Sequence, residues 1–302
     1  MFVKATRPLY IIVFLLFLTP LQSGAEPSAQ SLFLEGSRVY ESFTEEGIRK
    51  SSEIFETLLK KSPSYAPAYP ALAESYIQSY FRSFEKKAEF LEKARIAAMK
   101  GLSLDDRSPE AHKALSSVYF AEDRIEEAVS ELERALKIEP LYARGWLNLG
   151  TCMLELGKAE KAGQFFTRAI ELDNDPLAKG TGFYNLASLQ SAQGAYSEAL
   201  SPYAAAEDIL PGYYNIHYGK GVALMNLNRD EEAVKSFEEA ITLKPDYGEA
   251  YLALASAHHR LGNKEEAAKA YEAALKLEPQ MEAAERGLAA LKGKKIGCLF
   301  IY

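Results

Sequence analysis

The stretch WLNLGTCMLELGKAEKAGQFF, Trp146 to Phe166, carries the apolar rhythm of a helix, interrupted at Gly150 and Gly157. Trp146, Leu149, Gly150 and Met153 fall at i, i+3, i+4 and i+7, which is one face of a helix. Glycine inside a helix costs about 1 kcal/mol against alanine, so Gly150 must serve a purpose there. Gly157 then marks a turn, and Ala162, Phe166 and Ala169 face back from a second helix. Small residues let two helices approach while a large aromatic fills the space beside them, which makes Gly150 a contact point.

The same text returns along the chain. Ala128, Ala162, Ala199, Ala233 and Ala267 are separated by 34, 37, 34 and 34 positions, and each is followed four residues later by Leu132, Phe166, Tyr203, Phe237 or Tyr271. Ala135, Ala169, Ala206, Ala240 and Ala274 form a parallel ladder, and Pro63, Pro140, Pro211, Pro245 and Pro279 close units. Ala73, Ser116, Ala187, Gly221 and Ala255 are small where Gly150 is small. A fixed period of this size predicts an array of helix pairs that bury their apolar faces against neighbours.

This pattern resembles the tetratricopeptide repeat, W-x2-L-G-x2-Y followed by A-x3-F and P. The unit from Ala143 supplies Trp146, Leu149, Gly150, Ala162 and Phe166, with Met153 in the tyrosine's place and Asn174 in the proline's. Register places units at 32, 66, 109, 143, 180, 214 and 248, so the array runs over 32–279 after a short linker at 26–31. The resemblance implies an all-α, right-handed superhelical solenoid of about seven helix-turn-helix repeats. The unit from Leu32 is the weaker match, with Ser51 and Leu58 in place of alanines. The unit from Ala66 is nine residues too long between Tyr76 and Ala94, and the i, i+4, i+8 spacing of Tyr76, Tyr80 and Phe84 predicts lengthened helices. Glu282, Glu285, Arg286 and Lys292 alternate with Met281, Ala284, Leu288 and Leu291, a one-sided capping helix over 280–292 before a tail at 293–302.

Family members are binding scaffolds whose first helices line a concave groove for an extended peptide or a partner helix. By register that lining holds Lys113 and Ser117, then Arg144, Asn148 and Thr151, then Thr181, Tyr184, Asn185 and Ser188. Asn215, Tyr218, Met225 and Asn226 follow, and finally His259 and Arg260. Asn148 and Asn185 hold equivalent places and offer both donor and acceptor to a peptide backbone. Tyr184 and Tyr218 are likewise equivalent and supply amphipathic contact area. Asn148, Tyr184, Asn185 and Tyr218 are expected to form one continuous patch. Chaperone-binding members clamp a C-terminal carboxylate with basic residues and asparagines from three first helices. Here Lys113 and Asn148 match, but Ser117, Thr181 and Asn185 replace the other members of that set, so such a clamp is not expected.

Lys4 and Arg7 precede an apolar run from Leu9 to Leu18, Pro20 breaks it, and Ser23-Gly24-Ala25 offers small residues for cleavage before Glu26. Residues 1–25 therefore read as an export signal, and the chain as a periplasmic or secreted protein. The alternative is a membrane-anchored protein held by an uncleaved signal, with the apolar LFIY of the tail as a second membrane contact. Without Lys4 and Arg7 the 42 acidic residues face 33 basic ones, a net charge of −9 that repels nucleic acid. Cys152 lies on a helical apolar stretch and Cys298 in the tail, too few cysteines for a disulfide framework. His112 and His217 occupy the place of Trp146 and read as core or half-buried residues; His258 and His259 are adjacent on a helix and point apart. No metal-binding, phosphate-binding or nucleophile motif is present, so no enzyme activity, cofactor or metal is expected. The leading expectation is an exported scaffold that binds a protein or peptide partner in envelope assembly or secretion. A membrane-held assembly factor and a non-catalytic accessory subunit of an envelope enzyme complex are the alternatives.

Overall fold

The computed structural model describes residues 27–41, 44–82, 87–172 and 175–292. The leader segment, Phe84, Asn174, Cys298 and the tail lie outside the described residues. Helices follow one another in pairs. The first three pairs are α1 (Ala29–Tyr40) with α2 (Glu45–Lys61), α3 (Ala68–Arg82) with α4 (Lys87–Leu104), and α5 (Pro109–Ala121) with α6 (Ile125–Ile138). The central pair is α7 (Ala143–Glu155) with α8 (Ala159–Glu171). Then come α9 (Pro176–Ala192) with α10 (Tyr196–Ile209), α11 (Tyr214–Asn226) with α12 (Asp230–Leu243), and α13 (Gly248–Arg260) with α14 (Lys264–Leu277). A single helix, α15 (Glu282–Leu291), closes the stack, turning Ala284 inward and leaving its acids in solvent.

Gly150 is explained by its neighbour. A Cβ built there would lie 2.5 Å from Cε1 of Phe166, which is fully buried. Gly221 stands in the same relation to Phe237 at 2.6 Å, and so does Gly36 to Phe55. Each pair is a helix crossing in which the ring occupies the side-chain space of the facing residue. The turn inside each unit is equally uniform. Asp123, Gly157, Gly194, Asn228 and Gly262 stand at one register position in five consecutive units, and all have positive φ. Glycine takes that conformation freely, and Asp and Asn are the side chains that tolerate it best.

A third recurring device closes the turns between units. Trp146 Nε1 donates to the Pro140 carbonyl at 2.9 Å, and the Tyr69 hydroxyl donates to that of Pro63 at 2.9 Å. His217 Nε2 lies 3.2 Å from the Pro211 carbonyl and His112 Nε2 lies 3.1 Å from that of Asp106. All four side chains hold one register place and reach six residues back, so in these units that place supplies a flat ring carrying a polar atom, whereas Phe183 holds it in the unit from 180 with an apolar ring. Both histidines are buried.

Layering follows from which helices touch. Each first helix packs on its own second helix and also on the first helices of adjacent units; among the described residues no second helix touches another. The first helices therefore form the continuous inner layer and the second helices a spread outer one, which curves the stack toward the first-helix side. The apolar interior is correspondingly divided into consecutive clusters along the array rather than gathered in one core.

Three boundaries differ from the register. α1 starts at Ala29, inside the segment read as a linker, because the contact glycine of the first unit is Gly36, 19 positions before Phe55 instead of the usual 16. The extra residues lengthen the start of α2, which Thr44 caps and which begins ten positions before Phe55, whereas α8 begins seven before Phe166 and α12 seven before Phe237. α9 begins at Pro176 rather than 180, since Asp175 caps it by accepting from Ala178 N and Pro176 fits the first helical turn. α3 starts at Ala68, and α4, at 18 residues against the 14 of α6, α12 and α14, takes up part of the excess length of the second unit.

Candidate functional site: the first-helix face

Toward the N-terminal end the inner face is ionic. Lys113 on α5 reaches Glu74 on α3 at 2.5 Å, both side chains being about 85% buried, with relative exposures of 13% and 15%. Arg144 at the start of α7 reaches Asp175 at the cap of α9, also at 2.5 Å. Burial pushes the Asp175 carboxyl up, but the Arg144 bond and the amides of α9 outweigh it, so the group sits below the usual carboxylate range. Asn148 and Thr181 line a cleft of about 130 Å³ with Tyr40, Glu74, Gln78, Lys113 and Arg144. Asn148 and Thr151 also line a neighbouring cleft of about 260 Å³ with Ser117, Phe81 and Phe120. Thr151 Oγ1 donates to its own helix at Leu147 O. Cys152, also on that cleft, is buried, and burial together with Glu155 pushes its thiol up to about 12.

Toward the C-terminal end the face turns aromatic. Tyr184 on α9 lies edge-on to Tyr213, ring centroids 5.4 Å apart, and Tyr213 stacks obliquely on Tyr214 at 6.1 Å. Tyr214 meets Tyr247 at 5.1 Å, and Tyr247 meets Tyr218 on α11 at 5.1 Å. Five half-buried phenols thus form an unbroken row across three units, with Lys244 Nζ 4.8 Å above Tyr214 and 5.2 Å above Tyr247. Burial, with Tyr213 as the next contributor, pushes the Tyr184 phenol up to about 12; burial raises Tyr218 as well.

Within the anticipated four-residue patch the surroundings differ from residue to residue. Asn148 belongs to the ionic clefts, whereas Tyr184 and Tyr218 are joined through Tyr213, Tyr214 and Tyr247. Asn185 and Asn215 are half-buried on the same helices, and Ser188 Oγ lies 3.5 Å from the Tyr203 hydroxyl. Tyr184 also packs on Tyr203 and Tyr218 on Phe237, so each rim ring doubles as a core residue. Met225 packs into the α11–α13 core, and Asn226 is exposed and donates to Val222 O. His259 is exposed, while Arg260 is tied to Asp230 at 3.1 Å and to Asn228. Glu74, Tyr40, Asp175, Tyr213, Tyr214 and Tyr247 escape the register reading. Only the tyrosines had a visible signal: Tyr65, Tyr142, Tyr213 and Tyr247 all stand one residue before the start of a unit.

Among the described residues no helix is long and apolar enough to cross a membrane, and no three metal-binding side chains converge. Two family models described as tetratricopeptide repeat match residues 119–181 and 218–282. A Caenorhabditis elegans protein described as tetratricopeptide repeat-containing protein trd-1 is 26% identical over 120 residues, 40% of this chain and 14% of that protein. Human tetratricopeptide repeat protein 13 is 28% identical over 188 residues, 61% of this chain and 20% of that protein. The chain thus spans no more than a fifth of either relative. Among solved structures, the APC/C hetero-tetramer Cut9–Hcn1 superposes with a TM-score of 0.66 at 16% identity, over 87% of this chain and 48% of that one. PilF of Pseudomonas aeruginosa gives 0.60 at 19% identity, over 72% and 97% respectively. A thermophilic tetratricopeptide repeat protein of Thermus thermophilus gives 0.55 at 23% identity, over 66% and 100%.

Proposed function

The chain belongs to the tetratricopeptide repeat family, a right-handed superhelical solenoid, and from that premise we propose that its first-helix face binds an extended protein segment. The fold supports a protein–protein interaction scaffold. The observation that carries the finer reading is the tyrosine row from Tyr184 to Tyr218. Protonated phenols present apolar faces with a donor at the tip, the chemistry that covers aliphatic side chains while bonding backbone carbonyls. Asn185 and Asn215 beside the row add amide donors and acceptors. The leader-like sequence of residues 1–25 supports placing this scaffold outside the cytoplasm, in envelope assembly or secretion, either freed from or held by that segment.

Site-specific photo-cross-linking tests the reading. A benzophenone side chain placed at Asn185 or Asn215 in the native host should trap one discrete partner band. The same probe at Glu127 or Glu231 on second helices should trap none. Trapping from the outer positions alone sinks the groove assignment. Fractionation of the same cells tests location, and recovery in the cytoplasm would overturn the export reading.

A further inference from the structure

At the N-terminal end of the inner face, α1, α3 and α5 and the entry to α7 enclose a cavity of about 170 Å³. One side is apolar, made by Phe33, Phe55, Pro67 and Pro70; the other is polar and charged. A single water accounts for about 30 Å³ of liquid, so one bridging water does not fill the space.

The charges in its wall do not balance. Lys113 is neutralised by Glu74, and Arg144 by Asp175. Glu41 and Glu110, both exposed at the rim, have no ion-pair partner among the described residues. Arg82, further out, contributes a positive potential at Tyr40 without lining the cavity. The inner end is also short of donors: Glu74 Oε1 is buried without a hydrogen-bond partner. The rings of Tyr40 and Tyr142 complete the polar wall.

An occupant that answers all of these features has an aliphatic stem, a positive head and several N–H donors. We propose that this cavity receives a long basic side chain, lysine or arginine, from a protein partner. The stem lies along the phenylalanine and proline wall, and the head lies on the polar side, donating to Glu74 Oε1 with the Glu41 and Glu110 carboxylates and the two tyrosine rings around it. The assignment is opposite in sign to a carboxylate clamp, because the two cations of the wall are already spent inside the fold. It deepens the scaffold reading, on which it rests, yet involves none of the tyrosine row, so the two fail separately.

Capped pentapeptides with a central lysine, arginine or norleucine, titrated into the full chain by calorimetry at low salt, test it. The lysine and arginine peptides should bind about tenfold or more tightly than the norleucine peptide, a stem without a charge. In the double variant Glu41→Gln, Glu110→Gln that preference should fall to about twofold with the melting temperature unchanged, since both groups are exposed. Equal binding of all three peptides, no saturable binding of any, or a preference that survives in the double variant would each overturn the proposal. Spermidine binding more tightly than both basic peptides would reassign the cavity to a free polyamine. A Tyr213→Ala, Tyr247→Ala chain that keeps the charge preference but loses the cross-linked partner would separate this site from the tyrosine row.

Discussion

From α3 to the cap of α9 the inner face consists of ion pairs that bridge repeats; from α9 to α13 it consists of tyrosine rings that bridge repeats. Both halves stand on the same helix crossing, Gly150 on Phe166 in one and Gly221 on Phe237 in the other. The repeat thus fixes the scaffold positions and leaves the inward positions of the first helices open to different chemistry. In the ionic half the strong groups satisfy each other, and a ligand must use what is left over. In the aromatic half the rings pack edge to edge while remaining half exposed, so contact area stays on offer.

The largest expected effect ignores the difference between the halves. Gly150→Leu and Gly221→Leu each drive a side chain into a buried ring and should each cost about 3 kcal/mol or more. Gly157→Ala meets open space, but its φ of +69° suits glycine, so about 1 kcal/mol is expected. Thermal melts that move equally for all three would contradict the packing scheme. A smaller effect is confined to the ionic half. Lys113→Met leaves the Glu74 carboxylate unpaired beneath the surface, at about 2 to 3 kcal/mol, with helix-resolved hydrogen exchange rising in α3 and α5 and not in α11 and α13.

The halves should also part company with pH. The Asp175 carboxyl is held low in the fold, so its contribution is present above the ordinary value of 3.8 and is lost as the pH falls below it. Tyr184 is held high, so its contribution is present below the ordinary value of 10.0 and is lost as the pH rises toward about 12. Acid should therefore loosen the α7–α9 junction first, while alkali acts on buried phenols in both halves, Tyr40 and Tyr142 as well as Tyr184. Asp175→Asn removes the acid response and Tyr184→Phe a part of the alkaline one, which Tyr218 and Tyr247 share; unchanged profiles in both variants would count against these assignments. The smallest effect belongs to the outer layer. Replacing Glu126, Glu127, Glu231 and Glu232 with glutamine removes exposed charges at helix starts and should leave the melting temperature nearly unchanged.

The sequence made the repeat legible because helix crossings recur at a fixed spacing, and a small residue opposite a large one leaves a mark in every unit. Gly36 shows the limit: its mark is intact, but a longer second helix displaced it from Phe55, and the register counted back from Phe55 missed the true start of α1. The lining was legible by position and not by state. Lys113 and Arg144 were placed on the inner face, yet their partners Glu74 and Asp175 lie 39 and 31 positions away and follow no periodicity. Tyr213 and Tyr247 enter the face from helix caps one residue before a unit begins, and Tyr214 from the first residue of its unit, so only the assembled curve brings them beside Tyr184 and Tyr218.

On the function proposed above, the continuous layer of first helices is the binding surface. Hydrogen–deuterium exchange of the full chain, alone and with the partner recovered by cross-linking, measures this helix by helix. Protection should appear in α9, α11 and the segment around Tyr247, with the outer helices α10 and α12 unchanged. Protection confined to α10 and α12, with the first helices exchanging as before, would contradict the account.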